Sequence, residues 1–415
     1  MKHFTCLTTS YPQDAHPLAG RFVQSLHRAY QYAGWSSKVI TLDRGCTQRG
    51  PHDTRQSSRQ IGALGEEIFL SKTWGESVKG GAPDKISAHP LSSLGAMPIN
   101  TWRLNRAYHN VLQRYPKLQR APCVAHWALP CGWLTRKRRP LIYCHGGDVA
   151  LLERLPLGAL LSRQLLKHAR GIVCVSEDLK RRLIDLSGAA STPHQEKLHT
   201  LPMGIDTPEP SPEHLTRYRA LGQHKLIIAT IGRFSEIKGY QILVESLGAL
   251  TSEERARIVW IAGGDGPELS GVHRRAQLLQ VPLITEGLIS PPQRDALYQA
   301  CDLFIAPSCR VDRRVEGMPL ALREAALSGC QVMATALGGV CEVIRQLPPD
   351  AVIEIEPNIS SITSALQAWL RIDQRVQRDH LSPEMSAVAK ARWSWDSLGP
   401  QHLTLFERLH STDRR

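Results

Sequence analysis

The chain has 415 residues, 42% of them hydrophobic and 21% charged, the balance of a soluble globular protein with room for about two to four domains. Its formal charge of +13 is uneven: residues 1–200 hold 28 basic and 13 acidic side chains, residues 201–415 hold 23 and 25. No apolar run approaches the roughly 18 residues needed to span a bilayer, and MKHFTCLTTSYP lacks a signal-peptide core, so a cytoplasmic protein is expected. The ten cysteines are scattered, with no C-x-x-C pair and no zinc-finger spacing to histidine, which suits free thiols in a reducing compartment.

In chain order, the pattern predicts a strand at 3–9, a helix at 20–33 and a strand at 37–42. Residues 45–100, rich in Ser, Gly, Pro and Gln, are not placed. A helix follows at 101–115, strands at 121–126 and 140–145, a helix at 156–169, a strand at 171–175, a helix at 177–187 and a strand at 197–201. The stretch TPEPSPEH, 207–214, suits a hinge or linker, or the start of a domain boundary. The alternation then restarts, with strands at 225–231, 257–262, 282–285, 302–306 and 331–335. Helices are expected between them at 238–250, 268–279, 291–299 and 319–329. A short strand near 352–355 precedes helices at 359–375, 383–391 and 395–410. Strand–helix alternation at this spacing makes parallel sheets covered by helices, and two runs of it make two doubly wound α/β domains.

The second half carries the sharper chemical signal. Arg233 follows an apolar strand, and Lys238 precedes the next helix in GRFSEIKGYQILVE. Ligands of doubly wound domains bind beyond the carboxyl ends of strands, where an Arg fork and a Lys point charge suit a diphosphate. Two solvated loop charges would read the same way. Next comes Glu316-Gly317-Met318-Pro319-Leu320-Ala321-Leu322-Arg323-Glu324. Pro319 suits the first turn of a helix, so the amides around Gly317, Met318 and Leu320 form an anion site. Glu316 and Glu324 could then face one cleft and accept hydrogen bonds from sugar hydroxyls.

Together these segments resemble the retaining family 4 glycosyltransferases of GT-B fold (glycosyl transferases group 1). The matching text is GRFSEIKGYQILVESL, IAGGDGPE, ITEGLIS and LFIAPSCRVDRRVEGMPLALREAALSGCQVMATALGGVCEVI, most of residues 226–345. In the first half, TTSYP and LAGRFVQSLHRAY, VAHWALPCGW, LIYCHGGDV and LPMGID match more weakly but in order, and ARWSWDSLGPQHLTLFERL resembles the closing helix. The resemblance implies two Rossmann-like domains facing a central cleft. Residues 1–206 would bind the acceptor, residues 207–391 the nucleotide sugar, and a helix over 392–412 would pack back on the first domain.

The resemblance also implies roles. Arg233 and Lys238 would hold the donor diphosphate, and Glu324 the ribose hydroxyls. Glu316 would contact the donor sugar, with amides from Gly317, Met318 and Leu320. Gly20 would offer an N–H to the β-phosphate, and the Glu286–Leu288 loop would flank the base. His145 would reach the transferring sugar, and Asp148 would hold the acceptor or its own loop. His126 and Trp127 suit packing better than chemistry. The expected reaction is retaining transfer of a hexosyl group, in cell-surface polysaccharide or glycolipid biosynthesis. The donor would be a UDP- or GDP-sugar and the acceptor a saccharide or a polyprenyl-linked saccharide. No D-x-D triplet occurs in the chain, so no metal and no further cofactor is expected. The basic first half, with Arg136-Lys137-Arg138-Arg139, suits an anionic membrane surface at the cytoplasmic leaflet. A GT-B phosphorylase or epimerase, or a non-catalytic relative, keeps the same motifs. A dinucleotide oxidoreductase needs a G-x-G-x-x-G, and Leu269 stands at the third glycine of the best candidate. A basic nucleic-acid-binding module would need a reader motif that is not evident.

Overall fold

A computed structural model describes residues 2–13, 19–43, 58–62, 65–72, 90–189, 194–312, 315–372 and 374–411. The chain divides into two compact units, Met1–Gly204 with Leu398–Arg415, and Ile205–Ser397.

The first unit is built on strands β1 (Lys2–Leu7), β2 (Trp35–Asp43), β3 (Ser58–Ile61), β4 (Glu67–Lys72), β5 (Cys123–His126), β6 (Leu141–Cys144), β7 (Gly171–Cys174) and β8 (Leu198–Thr200). They form one sheet in the order β3-β4-β2-β1-β5-β6-β7-β8, parallel except for β3 at the edge. Every residue of β5, β6 and β7 is buried, as expected of parallel strands covered on both faces. The strand order reverses between β1 and β5, so the loops after β1, β5 and β6 gather at one carboxyl edge. Of the unplaced stretch 45–100, the described residues supply β3, β4 and the start of the helix Pro90–Arg114; the rest lies outside them. In the C-terminal segment of this unit, Phe406 is buried against Phe4, Tyr30 and Trp35.

The second unit holds β9 (Leu226–Ile231), β10 (Ile258–Gly263), β11 (Leu283–Gly287), β12 (Leu303–Ala306), β13 (Gln331–Thr335) and β14 (Val352–Ile355). All are parallel, in the order β11-β10-β9-β12-β13-β14. Alternate side chains feed two cores, one on each face. Ile227, Ala229 and Val332 enter one with Leu322 and Tyr298, while Ile228, Trp260 and Met333 enter the other with Leu243 and Trp369.

Two expectations change, and two further helices appear, for physical reasons. The stretch 207–214 is not all linker: Pro212 opens the helix Pro212–Gly222, because its fixed φ suits the first turn and Ser211 caps it. Two helices that the sequence pattern does not place, Gly147–Arg154 and Gly338–Ile344, each begin beside a pair of glycines. Pro319 does not enter the first turn; it caps the helix Leu320–Leu327 in an extended conformation, φ −72° and ψ 102°.

Candidate functional site

In the second unit the strand order reverses between β9 and β12, and the predicted cations lie on the loop leaving β9. Phe234 is fully buried and anchors that loop, its N–H donating to the Asp265 carbonyl at 3.0 Å. A 3₁₀ turn Glu236–Lys238 follows, closed by Gly239 at φ 68°. A Cβ at Gly239 would lie 1.9 Å from the Pro307 carbonyl oxygen, so only glycine lets this loop pack against the one leaving β12. Lys238 is thereby fixed, and its Nζ meets Glu316 Oε1 at 3.0 Å. Arg233 is half-buried, and among the described residues its guanidinium has no ion pair or hydrogen bond.

Glu316 sits on the loop between β12 and the helix Leu320–Leu327. The Gly339 N–H donates to its carbonyl at 2.9 Å. A Cβ on Gly339 would lie 1.7 Å from the Gly317 carbonyl oxygen, so two glycines clamp the Glu316–Met318 segment. Leu320, at the helix start, is partly exposed.

Glu324 lies inside that helix and is 7% exposed. Its Oε1 pairs with Arg294 at 2.7 Å and its Oε2 accepts from the Tyr298 hydroxyl at 3.1 Å. Arg294 also binds Asp295 at 2.7 Å. Burial, with the Asp295 charge, lifts the Glu324 carboxyl to about 7 against the pull of Arg294. Sequence reasoning missed Arg294 and Tyr298: they lie on the preceding helix, and nothing in the spacing links them to Glu324. Glu286 is held by Arg217 at 2.7 and 3.0 Å, while Leu288 projects into solvent, 79% exposed. The expected Glu286–Leu288 loop is shorter: Glu286 and Gly287 end β11, and the Gly264 N–H donating to the Gly287 carbonyl sets Leu288 beside the loop leaving β10.

In the first unit His145 follows β6 and His126 ends β5. Their rings are nearly parallel, 5.2 Å between centroids, with His126 Nδ1 3.0 Å from His145 Nε2. Phe22 and Trp127 lie 4.8 and 5.1 Å from the His145 ring. Burial among these rings brings the His145 imidazole down to about 4, so it is neutral at neutral pH. His126 and Trp127, expected only to pack, therefore hold the ring of His145.

Asp148 is fully buried and accepts three backbone N–H bonds, from His145 at 3.1 Å, Gly146 at 3.0 Å and Ala128 at 2.8 Å. These bonds fit the second of its two expected roles: a buried carboxylate with these partners ties the turns after β5 and β6 together. Gly20 takes φ 70° at the start of the helix Arg21–Tyr32, and a Cβ there would lie 2.3 Å from the Ser10 carbonyl oxygen. Sequence reasoning also missed Glu66, buried beside this loop and bonded by Tyr11 at 2.7 Å and Gln24 at 3.2 Å.

Among the described residues no helix is long and apolar enough to cross a membrane. The expected basic run is not a uniform solvated face. Arg138 donates to Thr5, Tyr108 and the Leu118 and Ala121 carbonyls, and Arg136 lies over Trp133, while Lys137 and Arg139 are exposed.

Two family models match consecutive stretches: Glycosyltransferase Family 4 over residues 19–209 and Glycosyl transferases group 1 over residues 217–382. The chain is 26% identical over 236 residues to the D-inositol 3-phosphate glycosyltransferase of Nocardia farcinica, covering 52% of this chain and 50% of that one. It is 28% identical over 203 residues to the alpha-monoglucosyldiacylglycerol synthase of Streptococcus pneumoniae, covering 46% and 43%. The chain thus spans about half the length of these curated relatives. Its fold is similar to that of sucrose-phosphate synthase from Thermosynechococcus elongatus, with a TM-score of 0.71 at 16% identity over 99% of this chain and 100% of that one. It is also similar to Anabaena HepE in complex with UDP-glucose, with a TM-score of 0.69 at 14% identity over 98% and 100%. With two doubly wound units, these neighbours and the two consecutive matches, the chain belongs to the family 4 glycosyltransferases of GT-B fold.

Proposed function

We propose that the chain is a retaining glycosyltransferase that moves a hexosyl group from a nucleotide-diphosphate sugar to a saccharide or lipid-linked acceptor. The observation that carries this reading is the β9 loop: Arg233, with no side-chain partner among the described residues, and Lys238, paired to Glu316 at 3.0 Å, both at the switch point of the second sheet. A departing diphosphate accumulates negative charge. Preorganised cations beside a helix start stabilise that charge, and in this reading they take the part a divalent ion plays elsewhere. Lys238 holds Glu316 until the diphosphate arrives; Glu316 then turns its oxygens to the sugar hydroxyls. Met318 and Gly317 supply amides. In the first unit the neutral His145, its Nε2 already bonded to His126, has its other ring nitrogen left to hydrogen-bond a sugar hydroxyl without adding charge. With no nucleophile assigned for a double displacement, front-face attack fits, the leaving phosphate taking the acceptor proton.

A thermal-shift panel of nucleoside diphosphates tests this reading. UDP is the expected binder, because a fold neighbour carries UDP-glucose. One diphosphate should raise the melting temperature selectively, and a flat response across UDP, GDP and ADP overturns the proposal. The shift should be larger at pH 8 than at pH 6. With the Glu324 carboxyl at about 7, most of it is ionised at pH 8 and able to accept both ribose hydroxyls. Glu324→Gln should lose the pH dependence. The unliganded protein runs the other way: a raised carboxyl pKa means the folded state holds a proton the unfolded chain releases, so stability falls as pH rises from about 4.5 to 7.

We also propose that the first unit meets an anionic membrane surface, on account of its basic excess and of a relative named for glucosyldiacylglycerol synthesis. A cavity of about 850 Å³ at the amino ends of its strands is lined by Lys117, Arg120, Lys137, Arg139 and Arg170. Cosedimentation with vesicles containing anionic lipid should be strong at low salt and weaken with added salt. Absence of binding at low salt overturns it.

A further inference from the structure

Next to the His126 ring that stacks on His145, three side chains of the first unit converge. Cys6 comes from β1, His27 from the helix Arg21–Tyr32 and His126 from the end of β5, and all three are fully buried. One potential ligand atom of each lies within 4.8 Å of the other two. Among the described residues, the two ring nitrogens of His27 and Nε2 of His126 have no hydrogen-bond partner, and the Cys6 thiol forms no disulfide. Buried polar atoms without partners are rare in native proteins, and each costs about 1–3 kcal/mol. One such nitrogen on each imidazole, converging with a thiol, calls for a common occupant.

We propose that Cys6, His27 and His126 form a buried binding site for a thiophilic d¹⁰ metal ion, Zn²⁺ or Cu⁺. The donor set is one sulfur and two imidazoles, the chemistry such ions select and that magnesium or calcium does not. Ligand atoms about 2.0–2.3 Å from a shared ion stand roughly 3.3–3.8 Å apart, so small side-chain rotations close the present spacing. On binding, the Cys6 thiol releases its proton to solvent and the sulfur coordinates as thiolate; no electron is transferred. His126 Nδ1 already bonds to His145, which leaves Nε2 as the atom that can coordinate. Coordination at Nε2 places the remaining proton on Nδ1, which then donates to His145 Nε2. The ion would thereby fix the tautomer and orientation of His126, and through it those of His145, as outer groups do for metal-bound imidazoles elsewhere. The site stands on the geometry of this unit alone and does not depend on the transfer reaction.

The test uses the full-length chain without a histidine tag, stripped by chelator and desalted. Titrated with Zn²⁺, or with Cu⁺ under reductant, it should retain about one equivalent per chain after desalting, by elemental analysis. Loaded with Co²⁺ it should show a thiolate-to-cobalt charge-transfer band that Cys6→Ser lacks. His27→Phe keeps a ring among Phe4, Tyr11 and His126 and removes two unpartnered nitrogens. It should melt cooperatively yet bind the ion at least about 100-fold more weakly. Stoichiometric retention of either ion, lost in His27→Phe, supports the site and says which ion it prefers. No retention by the unaltered chain, or equal retention by His27→Phe, overturns it and leaves buried water as the occupant.

Discussion

Lys238→Ala is expected to lower kcat/KM for sugar transfer by about 100- to 1,000-fold, the loss that follows removal of one preorganised group facing transition-state charge. The side chain is positioned by a 3₁₀ turn and by Gly239, which no other residue replaces without meeting the Pro307 carbonyl. Without substrate its charge is matched by Glu316 at 3.0 Å, so two opposite charges wait at the site together. Removing Lys238 takes a cation from the diphosphate and strands the Glu316 carboxylate near it, where it repels the donor. Both effects act in one direction. Glu316→Gln separates them. It frees Lys238 for phosphate, so UDP affinity measured by calorimetry should hold or rise, while transfer falls because one of the two acceptor oxygens becomes a donor and the charge is lost. Lys238→Arg should restore little, since a planar fork does not occupy the place of a compact ammonium. Full activity in Lys238→Ala, or weaker UDP binding in Glu316→Gln, removes the pair from the donor site.

The parallel strands were legible because helices on both faces force unbroken apolar runs such as LIIATI and IVWIAG. Helix starts were less so. Ser211-Pro212 carries a helix-start signal that the neighbouring prolines mask, while the Gly146-Gly147 and Gly338-Gly339 pairs are turn formers by propensity, and only packing shows that each begins a helix. At the site, Arg233, Lys238, Glu316 and Glu324 were legible from motif text and from their place after strands. Their partners were not. Arg294 reaches Glu324 from 30 residues earlier, and Asp148 reaches Ala128 from 20 residues later. Side chains that meet by tertiary packing leave no period or spacing in the sequence. His126 shows the same limit: an apolar context read as packing is also what brings its ring onto His145.

The second large effect is expected from an atom that is absent. Gly339→Ala adds a single methyl group 1.7 Å from the Gly317 carbonyl oxygen and 3.1 Å from the Met318 nitrogen. Both neighbours are backbone, so neither can rotate away. The Glu316–Met318 segment must move by an ångström or more, and with it the hydrogen bond from Gly339 to the Glu316 carbonyl. A displacement of about 1 Å in a positioned group costs about 100-fold in rate, so kcat/KM should fall by at least that much. The fold should lose only about 1–3 kcal/mol, as in other overpacked sites, and unfold cooperatively in urea. Gly271→Ala is the control. It adds the same methyl within the helix Leu269–Leu278, where it meets only the far end of Gln241 at 3.1 Å. That variant should keep full activity and gain up to about 1 kcal/mol from helix propensity. If Gly339→Ala transfers sugar at the unaltered rate, the clamped loop is not the donor-sugar site. If both variants lose activity alike, the loss reports general destabilisation instead of the position of Glu316.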